Sequence, residues 1–125
     1  MITVTLPWPD PDLSPNGRKR WAKIKAVTHA NKLAYVLTMD SLHWISQTPI
    51  PAGVIVEVTF HKPTRRRMDI DNLVGRCKPY QDGIFQALGW DDALICEARY
   101  VMGQIIPDGL VIITIKTTNE TVTSC

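Results

Sequence analysis

From Arg18 to about Ser46 the chain contains neither glycine nor proline, and breaks rich in both flank this stretch. On the N-terminal side stand Pro7, Pro9, Pro11 and Pro15, and on the C-terminal side Thr48-Pro49-Ile50-Pro51-Ala52-Gly53. Prolines remove backbone donors and fix φ, so regular structure must stop at both breaks. The uninterrupted stretch between them is read as one helix. Trp21, Ile24 and Thr28 keep helical spacing along it, as do Leu33, Leu37 and Trp44, while Tyr35, Met39 and Leu42 would line a neighbouring face.

Outside that helix the periodicity changes. Met1 to Leu6 alternates Ile2, Val4 and Leu6 with threonines and reads as a half-buried strand. Val54, Val56 and Val58 alternate with Ile55, Glu57 and Thr59 and run into Phe60 and His61, a second strand that Pro63 ends. A second helix is expected after Asp71, capped by Asn72, with Leu73, Cys77, Ile84, Ala87 and Leu88 as its apolar stripe and Gly89 as its stop. Pro79 inside it implies a kink or a restart. Leu94 to Met102 and Leu110 to Lys116 read as two antiparallel strands joined across Gln104 to Gly109, where Pro107-Asp108-Gly109 is turn chemistry. The order β-α-β-α-β-β defines an α+β domain with two helices packed on a small mixed sheet. At 125 residues the chain makes one domain, residues 1–125, with 118–125 as a frayed tail.

The second strand leads into Arg65-Arg66-Arg67-Met68-Asp69-Ile70-Asp71-Asn72, the densest juxtaposition of opposed charge in the sequence. In an extended backbone Asp69 and Asp71 would share a face, whereas on a helix they would splay apart by more than half a turn. Two adjacent carboxylates need a counter-charge to stay ionised together, and oxygen ligands of this kind suit Mg²⁺, with Mn²⁺ as a substitute. The arginines cannot ligate a metal but suit phosphate. A metal seat beside a phosphate clamp is what phosphodiester chemistry requires.

Net charge is only +2, so bulk charge does not announce a nucleic-acid binder, but the cations cluster at 18–25 and 62–67. Arg18, Lys19, Arg20 and Lys23 at the start of the first helix oppose its macrodipole, which leaves phosphate contact or a solvated basic face as their reason. Cys77, Cys96 and Cys125 form no C-x-x-C pair, and an odd count argues against a disulfide framework and fits a reducing cytoplasm. The first residues do not resemble a signal peptide, and no apolar run reaches membrane-spanning length. His29, His43 and His61 share no metal-ligand spacing and read as structural, with His61 also close enough to the charged motif to touch DNA. The four tryptophans read mainly as core residues, with Trp8, held between prolines, also able to pack near a substrate. No Ser-His-Asp or Cys-His arrangement points to a covalent nucleophile.

Thr5-Leu6-Pro7-Trp8-Pro9, then Arg65 to Leu73, then Asp82-Gly83-Ile84 and Asp91-Asp92, resemble the RusA family of Holliday junction resolvases in order and spacing over most of the chain. The resemblance implies a homodimeric, Mg²⁺-dependent endodeoxyribonuclease that resolves four-way junctions by paired nicks. It assigns Asp69 and Asp71 to the family's two motif acids and Asp92 to its third, with Asp91 beside it, as metal ligands and catalytic residues. The family's helical lysine falls on Gly75 in the simplest ungapped placement, on Lys78 if about one helical turn is inserted, and on Arg76 as the fallback. Arg65, Arg66, Arg67, Arg18, Lys19, Arg20, Lys23 and Arg76 are the expected DNA contacts. The alternative is a non-catalytic protein that binds branched DNA. Taken singly, each signal has a plainer reading: a lone D-x-D is a weak motif, Asp91-Asp92 alone is a turn or cap, and an arginine run alone is a solvated surface.

Overall fold

The fold comes from a computed structural model that describes residues 1–14, 20–42 and 49–118. The expected order is observed: β1 (Ile2–Pro7), α1 (Arg20–Ser41), β2 (Gly53–His61), α2 (Ile70–Leu88), β3 (Ile95–Met102) and β4 (Leu110–Thr118). Two single 3-10 turns, Pro11–Leu13 and Asp92–Leu94, precede α1 and β3. Trp44, His43 and the expected continuation of the first helix to Ser46 lie outside the described residues, as do Arg18, Lys19 and the tail from 119 on.

The sheet is mixed, with strand order β1-β4-β2-β3. β2 and β3 run parallel, with α2 as the crossover between them, and β4 runs antiparallel to both β1 and β2. The last two strands are therefore antiparallel in direction, as expected, but they are not neighbours. β4 carries Val111, Ile113 and Ile115, all buried, and takes the inner position between β1 and β2. β3 carries Glu97 and Arg99, both exposed, and takes the edge. A strand with charged side chains belongs at an edge, where they stay in water.

One face of the sheet is the core. Val56, Val58 and Phe60 of β2 register with Ile115, Ile113 and Val111 of β4, and those in turn with Ile2, Val4 and Leu6 of β1, while Val54, also buried, registers with Thr117. The alternation seen in the sequence is thus a burial pattern, each such side chain contributing roughly 1.5–3 kcal/mol on leaving water. α2 lays Leu73, Cys77, Ile84 and Leu88 into the same cluster. It runs uninterrupted through Pro79, so there is no restart there. Gly89 closes it in the left-handed conformation (φ 71°), with Gly89 N–H donating to the Gln86 carbonyl and Trp90 N–H to the Phe85 carbonyl.

α1 departs from the expected stripe. Trp21 is 83% exposed and Ile24 48% exposed, while Ala30, Ala34, Thr38 and Met39 are buried. Ala30, Ala34 and Thr38 recur every four residues and form a row of small side chains against α2. Gly83 of α2 sits directly under this row: a Cβ there would overlap the Asn31 carbonyl oxygen and stand 3.0 Å from Ala34 Cβ. Large apolar residues mark a stripe that faces a sheet, but two closely crossing helices select small ones.

Cys96 is disulfide-bonded, a crosslink that the odd cysteine count spoke against, and Cys77 is free and buried. No described helix is long and apolar enough to cross a membrane.

Candidate functional site

The segment from β2 to α2 is short and stiffened by its own bonds. Lys62 Nζ donates to the Arg66 carbonyl at 3.0 Å, Arg66 N–H to Thr64 Oγ1 at 3.3 Å, and Ile106 N–H to the Lys62 carbonyl at 3.1 Å. His61 Nδ1 lies 2.8 Å from the Gln104 carbonyl, a structural contact of the kind expected for the histidines. These bonds fix the backbone while leaving Arg65, Arg66 and Arg67 exposed. Lys62, the first cation of the 62–67 cluster, is thus turned back onto this segment.

The two acids of the motif do not share one strand face. Asp69 is the N-cap of α2, with φ −72° and ψ 131°, and Asp71 lies in the first helical turn. The reason is local: Asp69 caps through its backbone carbonyl, and the Asp71 carboxylate in the first turn complements the helix dipole. The ladder begins with Leu73 N–H donating to the Asp69 carbonyl at 3.2 Å. Asn72, expected to cap, is inside the helix, and its Nδ2 donates to Ser14 Oγ at 2.8 Å. The Asp69 side chain makes no capping hydrogen bond. Neither carboxylate pairs with the adjacent arginines, and among the described residues neither has a side-chain partner.

The later acids are differently employed. Asp91 Oδ1 accepts from Ala93 N–H at 2.9 Å and so caps the turn before β3. Asp92 Oδ2 lies 3.2 Å from Lys78 Nζ, which also donates to Asp82 Oδ1 at 2.8 Å. Asp82, and then Asp92, holds the Lys78 ammonium above its ordinary range against partial desolvation. The hydrogen bond from Lys78, with a further contribution from Asp91, holds the Asp92 carboxyl below the usual carboxylate range.

The helix decides the geometry of the three lysine alternatives. At about 100° per residue, Asp71 and Lys78 lie within roughly 20° of each other, about 10 Å apart along the axis. Arg76, two residues from Lys78, turns to the opposite side by about 160°. There its Nε is buried with no hydrogen-bond partner among the described residues. Gly75 has no side chain to offer. Lys78 is thus the cation on the Asp71 face. Arg20 is exposed and Lys23 half-buried at the start of α1.

Among the described residues, no three of His, Cys, Asp and Glu come together in a way that could hold a metal ion. The set Asp69, Asp71, Asp91 and Asp92 is therefore not gathered into one seat within a single chain. The start of α2 divides the first two, Asp91 is committed to its turn, and Lys78 holds Asp92 further along the helix. What remains is a pair of unpartnered carboxylates. That pair fits a hard cation such as Mg²⁺, which keeps several waters and takes one or two carboxylates together with substrate phosphate. Burial pushes the Cys77 thiol and the Tyr80 phenol up to about 12, so neither is an available nucleophile.

Fold and site together define a small α+β domain that presents free acids and free cations where a strand hands over to a helix. No family model matches the chain. It is 38% identical over 116 residues to an uncharacterized protein of Xylella fastidiosa strain Temecula1, spanning 92% of this chain and 76% of that one. The chain belongs to the same family as that protein.

Proposed function

We propose that this protein is a Mg²⁺-dependent endonuclease for branched DNA, resolving four-way junctions as a homodimer, as its resemblance to the RusA resolvases implies. One observation carries the reading. Arg65, Arg66 and Arg67 stand next to Asp69 and Asp71 in sequence, all five are exposed, and no ion pair joins them. Opposed charges kept apart at such short range remain available, the cations to a phosphate backbone and the acids to a metal. Asp69 and Asp71 would hold the ion, which supplies Lewis acidity at the scissile phosphate and a hydroxide nucleophile. The arginines bind and orient the backbone. Lys78, on the Asp71 face, would offset negative charge that develops on the leaving oxygen. A near two-fold junction suits two symmetry-related sites.

Asp71→Asn tests the assignment. With a labelled junction in Mg²⁺, wild type should give symmetric nicks, and the variant should bind the junction without cutting it. Undiminished cutting by the variant removes Asp71 from the reaction.

The second reading, a protein that binds branched DNA without cutting it, draws on the engagement of Asp92 by Lys78, which withholds the third acid from the first two. Retardation of the junction with no nicks from wild type in Mg²⁺ or Mn²⁺ would favour it.

A further inference from the structure

A pronounced concavity in the described structure lies away from the acids. It is an open groove of about 750 Å³ between the proline-rich segment after β1 and the first half of α1, with Tyr80 of α2 beneath. The groove is stiff. Tyr80 Oη donates to the Pro7 carbonyl at 3.0 Å, Asp10 Oδ1 accepts from Asp12 N–H at 2.9 Å, and the Asn72–Ser14 bond ties the segment to the first turn of α2. That last bond also sets the groove beside the acid pair. Trp8 forms one wall and is backed by the turn before β4, where the Cβ position of Gly109 lies 3.0 Å from both Trp8 Cβ and Pro63 Cδ.

The lining is flat and apolar in the middle and charged at the edges. Ala22, Ala26 and Ala30 recur every four residues along α1 and leave a smooth wall facing Trp8. Lys25 and His29, one turn apart, form a basic rim, and Asp10 and Asp12 form an acidic one. The Asp12 carboxylate has no partner among the described residues.

We infer that this groove seats an unpaired DNA nucleotide whose base carries an exocyclic amino group, an inference that rests on the DNA-cutting reading above. A base is a flat apolar body that stacks on an aromatic ring. Its phosphate suits the rim of Lys25 and His29, and an amino group suits the acceptors of Asp10 and Asp12. Adenine offers such a donor, whereas thymine presents a carbonyl oxygen and a methyl group instead. The rigid walls keep the ordering cost low.

Fluorescence anisotropy with labelled (dA)₈, (dT)₈ and an octamer of abasic sites, all at one salt concentration, tests it. (dA)₈ should bind about 10-fold more tightly than the abasic octamer, the size expected of one stacked base, with (dT)₈ closer to the abasic strand. Ala26→Leu, which fills the groove, should bring (dA)₈ to the abasic level and leave abasic binding unchanged. Asp12→Asn, which keeps the shape, should narrow the gap between (dA)₈ and (dT)₈. Equal binding of (dA)₈ and the abasic octamer overturns the inference. If the junction is still nicked in Mg²⁺, only the groove falls; if neither junction nor octamer is bound, the DNA reading falls with it.

Discussion

Replacing Gly83 by alanine should destabilise the protein, the reverse of what that exchange does in an ordinary helix. A glycine inside a helix costs about 1 kcal/mol relative to alanine, so Gly83→Ala starts with a gain of that size. Against it stands the contact with α1. The new methyl would overlap the Asn31 carbonyl oxygen and meet Ala34 Cβ at 3.0 Å. Carbon atoms settle at about 3.5–4.0 Å, so the helices must part by at least about 0.5 Å, a gap that forfeits roughly a quarter of each contact across it. The obstructing atom is backbone and cannot rotate away. Overpacking of this kind costs typically 1–3 kcal/mol and more where nothing yields.

The net expectation is a loss of about 2 kcal/mol, a large share of a stability of roughly 5–15 kcal/mol. Urea unfolding followed by circular dichroism should show the midpoint falling by about 1 M at unchanged slope. Ala34→Gly itself costs about 1 kcal/mol in a helix, so in a double-mutant cycle the two changes together should cost less than the sum of their separate losses, because one of the two contacts disappears while the carbonyl contact remains. A midpoint equal to or above wild type would mean that α1 and α2 are not packed as closely as described.

Lys78→Met tests the ion pairs with Asp82 and Asp92. Asp92 is depressed in the folded state, so its contribution holds above its ordinary value of 3.8 and is lost as pH falls through the folded value. Lys78 is raised, so its contribution holds below 10.5 and is lost as pH rises through its folded value. Wild type should therefore hold a small, flat advantage at intermediate pH that fades at both ends, small because the groups are solvent-screened. An advantage that grows on acidification would contradict the pairing. Replacing Arg65, Arg66 and Arg67 together by alanine should reduce the slope of log K against log salt for DNA binding by up to about 2.7, at 0.9 per phosphate contact. An unchanged slope would mean these side chains do not face the backbone.

What the sequence announced and what it hid divide along a physical line. β2 was legible because Val54, Val56, Val58 and Phe60 alternate and one sheet face is buried. α2 was legible because Leu73, Cys77, Ile84 and Leu88 keep helical spacing up to a glycine that only a helix end requires. The neighbour of β4 was not legible: local pattern gives a strand its faces, while its place in the sheet depends on which strand can surrender its charges to an edge. Nor was the buried row of α1, because close helix crossing favours Ala30, Ala34 and Thr38 over the larger Trp21 and Ile24.

The site was legible in composition and illegible in geometry for a related reason. D-x-D reads as one face of a strand or a splayed pair on a helix, and the helix in fact begins between the two acids, at Ile70. A one-residue difference in where a helix starts lies inside the uncertainty of any boundary read from sequence. It nevertheless decides whether two carboxylates meet one ion side by side or approach it from a cap and a first turn. The same step bears on the choice among Gly75, Arg76 and Lys78, since once Asp71 is helical Gly75 and Lys78 share its face and only Lys78 brings a side chain to it. The chemistry open to this domain thus depends on the phase of α2, and that phase is set by Asp69 capping the helix with its backbone while its carboxylate remains unengaged.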